Sequence, residues 1–139
     1  MRRLLAAALA ADAVVVLAFA GFGRRSHDES GGVAGTLGTA GPFLIGLAIA
    51  WVVVALYERR RGRGLEALIS VDDGVAIALI AVAVGMFARR LLWDRGTALT
   101  FVIVTTAFVT LLCAGWRAVW NRFGKRRPNR HANTRSPAS

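Results

Sequence analysis

Four long apolar stretches, separated by short polar segments, dominate the pattern of this sequence. A helix needs about 20 mostly apolar residues to cross the roughly 30 Å hydrocarbon core of a bilayer. The stretches therefore predict an all-α fold, a polytopic four-transmembrane-helix bundle within residues 1–120. Their limits are residues 4–23, 40–57, 69–88 and 97–116. Residues 121–139 are basic and rich in Ser, Pro and Asn, which predicts a disordered tail.

The second stretch is the shortest and contains a proline. Either its helix begins near Thr36 and bends at Pro42, or Pro42 is the first helical residue, a position that suits proline because its missing N–H is not needed there. Gly46 and Ala50 would give this helix a face of small residues for a neighbouring helix. The glycines of residues 24–40 favour a flexible linker before it.

The first stretch also has some features of a secretory signal peptide. Arg2 and Arg3 precede an apolar run, and residues 18–20 match a small-x-small cleavage pattern. Asp12, however, interrupts the apolar run at a cost of roughly 2.5–3.5 kcal/mol on insertion scales. The run is also as long as a complete span, so we expect a retained helix.

Composition supports a membrane protein over a soluble domain. Hydrophobic residues make up 55% of the 139 residues, although the formal net charge is +10. A soluble domain of this length could not enclose that much apolar surface. The single cysteine, Cys113, lies in the fourth stretch and excludes an intramolecular disulfide.

The distribution of basic residues predicts the orientation. With four spans, the N-terminus, the middle loop and the tail share one side and carry thirteen Lys and Arg, against five in the other two loops. The positive-inside rule then places both termini in the cytoplasm, and we expect a multi-pass protein of the plasma membrane. Tyr57 and Trp116 would mark the inner boundary and Trp93 the outer one, whereas Trp51 falls within its span.

Asp12 is the sharpest candidate for a functional residue. A carboxylate in hydrocarbon must be protonated, paired or hydrated. It would either hold the bundle together by hydrogen bonding to Thr105 or Thr106 of the fourth span, or belong to a proton or ion path.

Two further groups of charged residues lie near the ends of the spans. Arginine suits phosphate or carboxylate, so an outer-face cluster could attract an anion; alternatively, these cations only complement helix dipoles and lipid headgroups. The cluster comprises Arg24, Arg25, His27, Arg89 and Arg90. At the inner face, Asp72 and Asp73 begin the third span, where they would interact with the helix dipole or with basic residues of the middle loop, Arg59 to Arg63.

The sequence contains no pattern that indicates catalysis. We find no nucleophile–base pair, metal-ligand spacing, phosphate loop or dinucleotide fingerprint, and therefore predict no enzyme, metal or cofactor. The expected partners are the bilayer and its anionic headgroups, at the basic tail and the middle loop. A homo-oligomer or a membrane partner protein is also expected, whereas nucleic acid is not.

Several short motifs resemble a bacterial domain-of-unknown-function family of four-helix integral membrane proteins. The more specific ones are Gly-Arg-Arg-Ser-His at residues 23–27 and Gly-Trp-Arg at residues 115–117; others lie at Asp12, residues 40–43 and residues 85–89. The resemblance covers about residues 8–117. It implies the four-span topology and a retained first helix, and implies no activity.

These observations lead to two hypotheses about function. The first is a small integral membrane protein of structural, assembly or accessory type. The second is a small transporter or channel, in which Asp12 belongs to a proton or ion path and the outer arginines attract an anion.

Overall fold

A computed structural model of the chain describes residues 1–26, 32–92 and 98–124, except for the side chains of residues 25 and 26. The described residues form four α-helices, which confirms the predicted fold class. These are α1 (Arg2–Ser26), α2 (Gly32–Arg60), α3 (Val71–Leu92) and α4 (Leu99–Gly124). A short 3₁₀ helix, Leu65–Ile69, lies between α2 and α3. Each α-helix is long and apolar enough to cross a membrane.

The helices extend past the apolar stretches that predicted them. Residues 32–40, predicted as linker, are helical and form the beginning of α2. Pro42 therefore lies inside α2, so the alternative that made it the first helical residue is wrong. At the other end of the chain, residues 121–124 of the predicted tail belong to α4, and residues 125–139 lie outside the described part.

Each helix buries one stripe of residues at helical spacing. In α4 the buried residues follow one another at intervals of four, Thr105, Val109, Cys113 and Arg117. The other faces are apolar and exposed, as a helix that contacts lipid requires. Phe19 is the aromatic centre of the core, with its ring 5.8 Å from that of Phe43 and 5.7 Å from that of Phe101.

α2 and α3 approach each other at two glycines. A Cβ added to Gly46 would collide with the backbone carbonyl of Ala81, and one added to Gly85 would collide with Phe43. Gly46 thus packs against a neighbouring helix, as its small-residue face predicts, and Ala50 on the same face is fully buried. This close packing fixes the central pair of helices, against which α1 and α4 lie.

Candidate functional site

The site is centred on Asp12, halfway along α1. Asp12 lies on the buried stripe of α1, together with Ala8, Val15 and Phe19, and its side chain is 0% exposed. The spacing of three or four residues between these positions places them on one helix face. The carboxylate therefore points into the bundle and away from the exposed faces.

Arg117 of α4 pairs with this carboxylate. Its Nη1 donates to Asp12 Oδ1 at 2.7 Å and its Nη2 donates to Oδ2 at 2.8 Å. Two parallel bonds of this kind fix the orientation of both groups and are stronger than bonds between neutral partners. Arg117 is also 0% exposed, so the ion pair is fully buried.

Two tryptophans complete the shell around Asp12. Trp116 Nε1 donates to Oδ1 at 2.9 Å, and Trp51 Nε1 of α2 donates to Oδ2 at 3.0 Å. Each carboxylate oxygen thus accepts two hydrogen bonds. A carboxylate has about four lone-pair sites, so all of them are occupied.

Arg117 connects the remaining elements to the same cluster. Its Nε donates to the carbonyl of Leu68 in the 3₁₀ helix at 3.2 Å, and its Nη1 also donates to the carbonyl of Cys113 at 3.1 Å. Gly74 of α3 gives the arginine its space, because an added Cβ there would collide with Arg117 Cδ. All four α-helices and the 3₁₀ helix therefore meet at the Asp12–Arg117 pair.

This arrangement explains how the bundle tolerates two buried charges. Desolvating an unpaired charge costs several kcal/mol, which only good geometry and further hydrogen bonds can offset. Here the two tryptophans satisfy the carboxylate, and two backbone carbonyls accept from the guanidinium. The cluster is suited to a fixed structural contact, because neither charged group has a solvent-exposed surface.

The expected threonine partners of Asp12 were wrong. Thr105 Oγ1 donates to the carbonyl of Phe101 at 2.6 Å, and Thr106 Oγ1 donates to that of Val102 at 2.7 Å. Both hydroxyls are thus satisfied within α4, a common arrangement for threonine inside a helix. The partners of Asp12 lie about three turns further along α4, at Trp116 and Arg117.

Sequence reasoning misses Arg117 because it directly follows the last apolar stretch, where a basic residue is typical of the inner boundary. Its position four residues after Cys113 continues the buried stripe of α4, and this was the available signal. The sequence predicts a boundary position for Trp116 and places Trp51 within its span without a role, although a buried indole N–H needs an acceptor.

Arg24 and Arg90 of the predicted outer-face cluster line two different grooves, and Arg89 lies against an aromatic ring. Arg24 lines a groove of about 610 Å³ between α1 and α2, with its guanidinium over Gly35. Arg90 lines a groove of about 690 Å³ between α3 and α4. Arg89 stacks on the Phe101 ring, with its Cζ 4.6 Å from the ring centre. The side chain of Arg25 and all of His27 lie outside the described part of the chain.

The inner-face acids differ from each other in burial. Asp72 is exposed, whereas Asp73 is 8% exposed and lies beside a residue that sequence reasoning did not single out, Glu58 of α2. Glu58 is 1% exposed and forms an ion pair with Arg63, with Nε 2.9 Å from Oε2. Its sequence signal was its position four residues after Val54, on the buried stripe of α2.

Comparisons with known proteins bear on the family of the chain and not on its activity. No curated protein and no solved structure matches the chain. The family model described as "Protein of unknown function (DUF3054)" matches residues 9–120, which include Asp12, Trp51 and Arg117. Since the match covers most of the chain, this protein belongs to the DUF3054 family.

Proposed function

We propose that this multi-pass membrane protein has a structural, assembly or accessory role, without enzymatic activity, and that the Asp12–Arg117 pair holds its bundle together. One observation carries the proposal: the Asp12 carboxylate accepts four hydrogen bonds, two at each oxygen. Three of these bonds come from Arg117 and Trp116 of α4 and the fourth from Trp51 of α2, so the contact ties α1 to both helices. A group so completely satisfied is suited to fixing helix positions.

The same observation argues against a proton or ion path through Asp12. A carrier carboxylate has to exchange its partner for a proton or ion, which requires access and a free lone pair. Asp12 is 0% exposed, and the grooves that Arg24 and Arg90 line are bounded by other residues. Opening the site would leave Arg117 buried without its counter-ion, at a cost of several kcal/mol.

The proposed orientation remains the one with both termini in the cytoplasm of a plasma-membrane protein. The thirteen basic residues of the inner side include Arg117, which is buried and paired. Without it, the inner side still has twelve Lys and Arg against five on the outer side. The middle loop, where Arg59, Arg60, Arg61 and Arg63 are all exposed, supports this assignment.

The partners that fit the proposal are the bilayer and a protein within it. The exposed arginines of the middle loop favour anionic headgroups, at about 1 kcal/mol each near the surface. α4 is the least buried of the four membrane-spanning helices. Its outer face is therefore available to lipid, to a second copy of the protein or to a partner protein.

Flux measurements in proteoliposomes test the proposal. Proton and alkali-ion flux would be compared for the wild type, Asp12→Asn, and Asp12→Asn with Arg117→Gln, with Asp72→Asn as the exposed-acid control. We expect no flux above that of empty vesicles for any of them, and a lower stability for Asp12→Asn. The transport function would instead be established by flux in the wild type that persists in Asp72→Asn and is lost in the folded double variant.

A further inference from the structure

We propose that the groove between α3 and α4 binds one acidic phospholipid, with an acyl chain along the groove and the phosphate at Arg90. The groove has a volume of about 690 Å³ and is lined mostly by apolar side chains, with Arg90 near one end. It shares no residue with the Asp12 cluster or with the middle loop. The proposal therefore goes beyond a structural role and names a lipid partner.

The α3 wall of the groove is one stripe of apolar side chains that leads to a charge. The residues stand at positions i, i+3, i+4, i+7 and i+8, which share one helix face, and Arg90 continues them at i+11. From Leu79 to Arg90 the stripe rises by about 16 Å, at roughly 1.5 Å per residue. This is about half of the roughly 30 Å hydrocarbon core, so the groove has the depth of one leaflet. The apolar residues are Leu79, Val82, Ala83, Met86 and Phe87.

The α4 wall consists of Val102 and Thr106, one turn apart. The Thr106 hydroxyl donates to the Val102 carbonyl at 2.7 Å, so its hydrogen is already used within the helix. On the facing wall, the unbranched side chain of Met86 can adapt to an irregular hydrocarbon surface. A lipid chain thus finds apolar contacts on both walls, whereas a polar ligand would find few hydrogen-bond partners below Arg90.

Arg90 supplies the contact for a headgroup. Its side chain is exposed and has no hydrogen bond or ion pair with any residue that the structure describes. The planar guanidinium can donate two parallel hydrogen bonds to a phosphate. Arg89 adds a second positive charge in the last turn of α3, where it stacks on Phe101 with its Cζ 4.6 Å from the ring centre. An acidic headgroup is therefore favoured over a zwitterionic one.

The helix dipoles leave this positive charge in place. α3 ends close to the point where α4 begins, because Arg89 contacts Phe101 in the first turn of α4. The negative end of one dipole and the positive end of the other, about half a charge each, therefore oppose each other. The two arginines then determine the potential at the position of the phosphate.

A second copy of the chain fits the groove less well than a lipid does. Two copies inserted in the same orientation carry Arg90 at the same depth, and a symmetric interface along the groove would bring the two charges together. A phospholipid instead places negative charge at Arg90 and hydrocarbon along the apolar walls. Charge complementarity thus selects the lipid.

Thermal unfolding of the full chain in a nonionic detergent tests the proposal. Melting temperatures would be compared with added phosphatidylglycerol, with phosphatidylcholine of the same acyl chains, and with inorganic phosphate. Arg90→Gln removes the headgroup contact, and Arg60→Gln, at an exposed arginine in the last turn of α2, is the matched control. Ala83→Phe fills the groove, and Ala107→Phe, at an exposed position of α4 that does not line it, is the second control.

We expect phosphatidylglycerol to raise the melting temperature of the wild type and of both controls by at least about 3 °C more than phosphatidylcholine does. Arg90→Gln and Ala83→Phe should each lose most of this difference, and inorganic phosphate should have no effect. The proposal is overturned if the wild type does not distinguish the two lipids, if phosphate alone acts as the lipid does, or if either variant responds as its control does. Conversion of a dimer into a monomer by Ala83→Phe would also overturn it, because the groove would then be an interface between copies.

Discussion

Asp12 and Arg117 are separated by 105 positions in the chain, yet they form a bidentate ion pair with N–O distances of 2.7 and 2.8 Å. The pair joins the first helix to the last. Breaking a buried pair by removing one partner typically costs about 3–5 kcal/mol, because the remaining charge is left uncompensated, whereas removing both partners costs less. This difference gives the pair a clear mutational signature.

We therefore expect Asp12→Asn to destabilise the protein by about 3–5 kcal/mol. Combining it with Arg117→Gln is expected to recover part of this loss, since no buried charge then remains. Denaturant unfolding in mixed micelles would measure both. The free energy of unfolding would also be measured for Arg117→Gln alone. A double variant that loses as much free energy of unfolding as the two single variants together, or more, would contradict an ion pair.

Removing one tryptophan hydrogen bond to Asp12 is expected to lower stability less than Asp12→Asn does. Trp51→Phe removes one donor to Asp12 Oδ2 and Trp116→Phe removes one donor to Oδ1. Each is expected to cost about 1.5–3 kcal/mol, the range for hydrogen bonds to charged groups. Thr105→Val is the control: its hydroxyl bonds only its own helix, so its loss should stay below about 1.5 kcal/mol. An equal loss for Thr105→Val and Trp116→Phe would argue against the tryptophan contacts.

Substitution of glycine by alanine is expected to change stability in opposite directions at different positions of the helices. Gly74→Ala should destabilise the protein because its Cβ would collide with Arg117, and Gly46→Ala should do so because its Cβ would collide with the Ala81 backbone. Gly115→Ala has nothing within 4 Å and should be neutral or stabilising by up to about 1 kcal/mol. Melting temperatures of the three variants would check this ranking. Destabilisation by Gly115→Ala as large as that by Gly74→Ala would contradict this packing of Gly74 against Arg117.

The four helices were predictable from the sequence because the requirement for an apolar span is local and leaves a continuous pattern. Asp12 was also predictable as a buried polar residue, since one acid within an apolar run needs a partner. The partner itself was not, because any polar residue of three other helices could have served. Arg117 follows an apolar stretch directly, where arginine is typical of a helix end near headgroups.

Helix ends were the other limit of sequence reasoning. Glu58 belongs to a dense run of charged residues, Glu58 to Arg63, that is typical of an exposed loop. Its burial depends on the close packing of α2 on α3, which is a tertiary contact that no local pattern indicates. The glycines of residues 32–40 predict a linker because glycine disfavours helix in water. These residues are helical although most of them are exposed, since in hydrocarbon a helix satisfies the backbone hydrogen bonds that a linker would leave open.

Cysteine labelling tests the proposed orientation. The native Cys113 is 0% exposed and should remain unlabelled in the folded protein. Glu66→Cys would place a thiol at an exposed position of the middle segment, and Arg90→Cys would place one near the other end of the bundle. We expect a membrane-impermeant maleimide to label Arg90→Cys in intact cells and Glu66→Cys only in inverted vesicles. The reverse pattern would place both termini outside.

Retention of α1 is the prediction on which the Asp12 cluster depends. Removal of residues 1–20 would take away Asp12 and leave Arg117 buried without a counter-ion, which the folded bundle would tolerate poorly. We therefore expect the intact mass of the protein purified from membranes to include these residues. A mass lower by about 2 kDa, with a new N-terminus at Gly21, would identify a cleaved signal peptide. The Asp12→Asn variant serves as a control, because its mass should show the same N-terminus even though its stability is lower.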